Sequence, residues 1–393
     1  MDEIPPPTPE SPRAPEPAPA PPRMQSAPPP LVQPQPIIVQ ARPRGGSGWR
    51  IFAVILLVLL LVSLVFNPMQ FLAALVGGGD GVEIGHRKVG PRLQEEFLED
   101  NGSKNKIAVI PIEGVISGQS FGRSGYTMVD LIEDQFERAA HDDRVKAVIL
   151  KVNSPGGEVL ASDDIYKIVQ KFQSTTKKPV IADMGSLAAS GGYYVSAPCQ
   201  WIVANELTIT GSIGVIMHGY NYRGLMDKVG VRPDVFKSGR FKDMMSPEKR
   251  ADEITAEERE MIQSMVNETF DKFKSIVTEG RNDAAKRNKG NGKSLAENWE
   301  LYADGRILSG KEALRLGFVD ELGNFDAATT RARKLAGIND ANLVQYQQPF
   351  ELGDLFSLFG KSDAKTIKID LGIDAPKLKL GHLYFMCPIV LPH

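Results

Sequence analysis

The chain has 393 residues, a mass of 43.0 kDa and a formal net charge of −2. That balance, with a pI of about 6.3, excludes a strongly basic nucleic-acid binder, and no nucleic-acid partner is expected. Two cysteines, Cys199 and Cys387, exclude a disulfide scaffold and a four-cysteine zinc site, and five scattered histidines argue against a histidine-built metal site.

Sixteen of the 28 prolines fall in residues 1–43, in runs such as Pro5-Pro6-Pro7 and Pro28-Pro29-Pro30. Such runs lack amide donors and apolar surface, so 1–48 reads as a disordered tail. Ile51 to Phe66 then carries no charge, and after Asn67-Pro68 the apolar run resumes from Met69 to Val76. About 20 apolar residues span a bilayer core, so 49–76 is expected to be a transmembrane anchor and the membrane a partner. Arg42, Arg44 and Arg50 precede the anchor, whereas Arg87 is the first arginine or lysine after it. The positive-inside bias then leads to the expectation of a single-pass protein, with the tail in the cytoplasm and the domain after the anchor periplasmic or extracytoplasmic. Residues 77–104 read as a linker.

From 107 onward, short apolar runs alternate with helical spacing. Residues 107–112, 146–152 and 179–183 read as strands, and 128–140 and 161–172 as helices. This alternation predicts an α/β domain with buried, mostly parallel strands over 105–338, followed by an extension, 339–393. Thr255 and Glu258 form a capping-box pattern opening a long amphipathic helix over 255–279. Its stripe of Ile262, Met265, Val266, Phe270, Phe273, Ile276 and Val277 points to core or subunit contact. The basic stretch 281–293 reads as a solvated loop.

Three segments can carry chemistry. In ADMGSLAASGGYYVSAP, residues 182–198, a strand runs into Ser190-Gly191-Gly192. A serine at such a turn can expose its Oγ beside backbone amides that favour developing negative charge, or it can simply cap a helix. Asn153-Ser154-Pro155-Gly156-Gly157, after another strand, can turn its amides toward an anion. A serine nucleophile needs a base, and the candidates are His218 in VIMHGYNYRG and Lys242 in KSGRFKDMMSP. A lysine serves as a base only where burial disfavours its ammonium form, here against Phe241, Met244 and Met245.

The strings NSPGG at 153–157, AASGGYYVSAP at 188–198, TGSIGV at 210–215, KSGRFKDMMSP at 237–247 and GRILSGKEALRLGFVDELG at 305–323 occur in one order. Together they resemble the signal peptide peptidase A (SppA) family of membrane-bound serine proteases. The resemblance covers roughly residues 105–330. It implies a crotonase/Clp protease-like fold of repeated ββα units, here preceded by one transmembrane helix and a disordered tail. It implies a Ser–Lys dyad endopeptidase that needs no cofactor or metal and acts on signal-peptide remnants or other short membrane-derived peptides. By the same resemblance Ser190 is the nucleophile, Lys242 the general base and Ser212 the serine that orients the lysine. The Gly157 and Gly191 amides form the oxyanion hole, and the chain is expected to be a homo-oligomer. The alternatives are a non-catalytic peptide-binding scaffold of crotonase type, or a related protease that processes a membrane-protein partner. The final stretch, HLYFMCPIVLPH, resembles an apolar C-terminal segment of some members and could dock in a groove or pack as core. Cys199 is expected as a free buried thiol.

Overall fold

The computed structural model describes residues 52–58, 91, 93–120, 125–348 and 382–387, in two units, 1–85 and 86–393. In the first unit the one described element is helix α1, at 52–58. This corrects the membrane expectation. Among the described residues no helix is long and apolar enough to cross a membrane. The rest of 49–76, and the tail at 1–48, lie outside the described residues. The transmembrane helix, the membrane-bound architecture, the membrane partner and the single-pass topology with its two sides are therefore not supported.

The second unit is α/β. Apolar runs form β2 (Lys106–Glu113), β3 (Val145–Ser154), β5 (Val180–Ala188) and β6 (Trp201–Ala204), hydrogen-bonded in parallel in that order. Alternate side chains leave opposite faces of a strand, and both faces here are covered. Ala108, Ile110, Val148, Leu150 and Ala182 pack on one side. Ile107, Val109, Ala147, Ile149 and Ile181 pack on the other, against α8 (Phe325–Ala336). The first side is roofed by α2 (Met128–His141) and α3 (Val159–Thr176), which meet through Phe136 and Phe172, edge to face at 5.1 Å. Helix α2 starts where Thr127 and Asp130 form a reciprocal capping box.

The sheet is extended at one end by β11 (Asn342–Gln347) and β1 (Gln94–Glu99), and at the other by β10 (Glu321–Leu322). Strand β7 (Ile209–Gly211) pairs with β5 and carries β9 (Ile307–Ser309). A separate antiparallel sheet joins β4 (Gly156–Glu158), β12 (Leu383–Met386) and β8 (Ile216–Met217). Thus β1 falls inside 77–104, and β11 and β12 inside 339–393.

Short helices α4 (Gly191–Ser196), α5 (Arg223–Lys228) and α7 (Gly310–Arg315) follow turns, and α6 (Ala256–Arg287) is the longest. Thr255 and Glu258 close the capping box that opens α6. Only the second half of its apolar stripe is core: Phe273, Ile276 and Val277 are buried, while Met265 is 47 % exposed. The helix also runs on through 281–287, which was expected as loop. An ion pair fastens this stretch to the core. Arg281 donates to Asp320 at 2.5 Å, with side chains 1 % and 0 % exposed. Removing one partner of such a pair costs about 3–5 kcal/mol, because the other charge stays buried alone.

The carboxyl ends of β3, β5 and β7 lie side by side, which is where open α/β sheets bind ligands. Ser154, Ser190 and Ser212 each sit at one of these ends.

Candidate active site

Strand β5 ends at Ala188, and within two residues the chain turns into α4. Ser190 takes up the bend with φ 54° and ψ −115°. A non-glycine residue there costs about 1–3 kcal/mol, so its surroundings must hold it. Ser190 N–H donates to Gly211 O at 2.8 Å, Ala189 N–H to Ser154 O at 3.1 Å, and Tyr194 N–H to Ser190 O at 2.9 Å. The side chain is 1 % exposed, and Oγ has no hydrogen-bond partner among the described residues. A buried hydroxyl left so is rare and calls for a reason.

The NSPGG turn packs directly on this bend. Gly156 has φ +98°, and a Cβ there would lie 1.9 Å from Phe385 O and 2.6 Å from Gly191 N. A Cβ on Gly191 would lie 3.0 Å from Gly156 Cα and 3.1 Å from Gly157 N. Any side chain at either position would push the neighbouring backbones apart, so glycine is required. Gly157 and Gly191 are therefore brought together, next to Ser190.

The C-terminal stretch fits against the same turn. Phe385 lies opposite Gly157 and Tyr384 opposite Glu158, while Tyr384 also faces Ile216 of β8. Cys387 N–H donates to Pro155 O at 2.8 Å. The Phe385 ring packs on Tyr194 at 4.7 Å and Phe273 at 4.8 Å. Docking and core packing are both realised, by one strand. Cys199 and Cys387 are free and buried, and burial pushes the Cys199 thiol up to about 12.

Ser212 joins the cluster from the end of β7. It is 3 % exposed, adopts φ 48°, and its N–H donates to Arg306 O at 2.7 Å. Its neighbour Gly211 accepts the Ser190 amide.

Lys242 is placed differently. It is exposed, in a turn where its N–H donates to Gly239 O at 3.3 Å, and no bond joins it to Ser190 Oγ. The expected apolar burial is absent, since Met245 beside it is 41 % exposed. Around it Lys237 and Lys249 pair with Asp243 at 2.7 and 3.4 Å, and the Arg240 guanidinium covers Phe241 at 4.6 Å. A cleft of about 890 Å³ separates this segment from α6, lined by Tyr220, Met244, Met245, Pro247 and Ile262. His218 is half-buried, its ring edge-on to Tyr220 at 4.8 Å, and it too makes no bond to Ser190 Oγ.

Two groups near the site escaped the reading of the sequence. Thr208, just before β7, and Thr210 on β7 bond side chain to backbone with β5; their alternation in LTITG was the available signal. Asp183, on β5, is pushed by burial from an ordinary 3.8 up to about 6, with Lys151 beside it pulling the other way.

Comparison with known proteins gives this arrangement a relationship. The model of Peptidase family S49 matches residues 172–339, a span that holds Ser190, Ser212 and Lys242 but not Gly157. A protein of Enterococcus faecium named "Putative signal peptide peptidase SppA" is 39 % identical over 259 residues, 65 % of this chain and 71 % of that protein. A Methanocaldococcus jannaschii protein named as a protease is 41 % identical over 206 residues, 52 % of this chain and 61 % of that one. Protease 4 of Haemophilus influenzae is 34 % identical over 253 residues, 63 % of this chain but 38 % of that longer protein. Being 39 % identical over 259 residues to a relative of which it covers 71 %, the chain belongs to peptidase family S49 and is a serine-type peptidase.

Proposed function

We propose that the protein is an endopeptidase working through a Ser190–Lys242 dyad on short apolar peptides such as signal-peptide remnants. The observation that carries this reading is Ser190 Oγ, buried and without a partner at a strained turn, next to the glycine backbones of 156–157 and 191. Once it is carried to Ser190 and shielded from water, Lys242 takes the Ser190 proton as Oγ bonds to the peptide carbonyl carbon. The carbonyl electron pair moves onto oxygen, which the Gly157 and Gly191 amides hold. The ammonium returns its proton to the leaving amine as the C–N bond breaks, and water, activated by the same lysine, then hydrolyses the acyl-enzyme. Ser212 orients the lysine.

Because Lys242 is exposed and unbonded to Ser190, the dyad needs the lysine carried to the nucleophile. Either the segment 218–255 moves or a second copy of the chain supplies it. Ser190→Ala should lower hydrolysis of an apolar quenched fluorescent peptide by about 10⁴-fold or more. Activity within tenfold of wild type would remove the proposal.

A further inference from the structure

Strand β7 shares only one backbone register pair with β5, Leu187 opposite Ile209. Two threonine hydroxyls fill the gap. Thr208 Oγ1 donates to Gly185 O at 2.8 Å and Thr210 Oγ1 to Ala188 O at 2.7 Å, with residue exposures of 1 % and 0 %. The residue after Thr210, Gly211, accepts the Ser190 amide at 2.8 Å. Strand β7 therefore grips the chain on both sides of Ala189, holding the carbonyl of residue 188 and the amide of residue 190. The Ala189 amide is tied to Ser154 O at 3.1 Å. These three bonds fix the two peptide planes that precede Ser190, and the Tyr194 N–H bond to Ser190 O at 2.9 Å fixes the plane that follows; between them Ser190 is held at φ 54°. Released, a serine relaxes toward negative φ, and its Oγ swings with the backbone.

We propose that Thr210 is a positioning residue for the nucleophile: its hydroxyl, through Ala188 O, keeps Ser190 in the conformation that aims Oγ at the substrate carbonyl. The inference rests on Ser190 being the nucleophile. Thr210 touches no reacting atom and acts only through the bend. Thr208 makes the same kind of bond three residues further up β5, at Gly185, while also accepting the Asn205 N–H at 3.1 Å, and is the control.

The test is steady-state hydrolysis of the apolar quenched fluorescent peptide by the full chain, with thermal melting beside it. Thr210→Val keeps the shape and removes the donor. It should lower kcat by about 10²-fold, the effect of a misplacement near 1 Å, and leave KM within about twofold. Thr210→Ser should restore most of kcat. Thr208→Val should cost stability but leave kcat within about threefold. If Thr210→Val does not fold, Thr210→Cys, with a weaker donor of similar size, must show the same split. A kcat for Thr210→Val close to wild type overturns the inference, as does a loss that Thr208→Val matches or that Thr210→Ser fails to rescue. If Ser190→Ala is inactive while Thr210→Val is normal, only this inference falls; if Ser190→Ala stays active, the nucleophile assignment falls first.

Discussion

Around Ser190 the chain is packed from every side: β3, β5, β7 and α4 are buried there, and backbone bonds at 2.8–3.1 Å hold each residue of the bend. The segment 218–255, which carries Lys242, is built differently. Its backbone closes mostly through turns, its apolar side chains stay exposed or half-buried, and Phe236 reaches 91 %. Ion pairs such as Lys237–Asp243 at 2.7 Å hold it, and exposed pairs are worth about 0–1 kcal/mol each. The contrast divides the chemistry. The proposed nucleophile and oxyanion amides are set by the core, whereas the proposed proton acceptor rides on an element that little burial holds, the kind that opens or moves at low cost.

The largest effect expected from this contrast is on turnover, with none on folding. Lys242→Met should lower hydrolysis by about 10³-fold or more. Because the side chain is exposed, the melting temperature should stay put. His218→Ala should keep most activity. If His218→Ala is inactive and Lys242→Met active, the dyad assignment gives way to a Ser–His one. Mixing Lys242→Met with Ser190→Ala sharpens the point: regained activity means that the lysine comes from a second copy.

Glycine substitutions probe the two regions on one scale. Gly156→Ala drives a Cβ to 1.9 Å from Phe385 O, so chemical denaturation should show a loss of about 3 kcal/mol. Gly239→Ala, at φ +88° with no atom within 4 Å, carries backbone strain alone, about 1 kcal/mol. Equal losses at the two sites would erase the distinction between a packed and an open region.

A smaller effect than that of Gly156→Ala is expected from Asp183. Its folded pKa, about 6, lies above the ordinary 3.8, so the folded state binds the extra proton between these values. The stability it contributes is fully present below about 3.8 and is lost as pH rises through about 6, some 2–3 kcal/mol in all. Asp183→Asn should therefore be more stable than wild type at pH 7 and no more stable at pH 4. Urea titrations at the two pH values decide it, and an equal difference at both would refute the burial argument.

What was legible in the sequence followed from local signals. The apolar runs gave β2, β3 and β5, and Thr255 with Glu258 located the start of α6, because capping is decided within four residues. The end of α6 was not legible. Residues 281–287 are polar and look solvated, but they are tied to the core through Arg281 and Asp320, 39 positions apart. Strand β12 has the same character, since its partners, β4 and β8, lie far back in the chain. Of the site residues, Ser190, Gly157, Gly191 and Ser212 converge because strand ends converge. Lys242 was expected in an apolar pocket on the strength of Phe241, Met244 and Met245. Those neighbours in sequence do not enclose it, for burial depends on what packs across from a segment.

The central claim is that Ser190 is the reacting group of this peptidase. An active-site-directed fluorophosphonate, applied to the full chain and located by peptide mass spectrometry, tests it most directly. The account predicts one adduct, on Ser190, formed as hydrolysis is lost and absent in Ser190→Ala. An inactivating adduct on another residue, with hydrolysis persisting in Ser190→Ala, would contradict it.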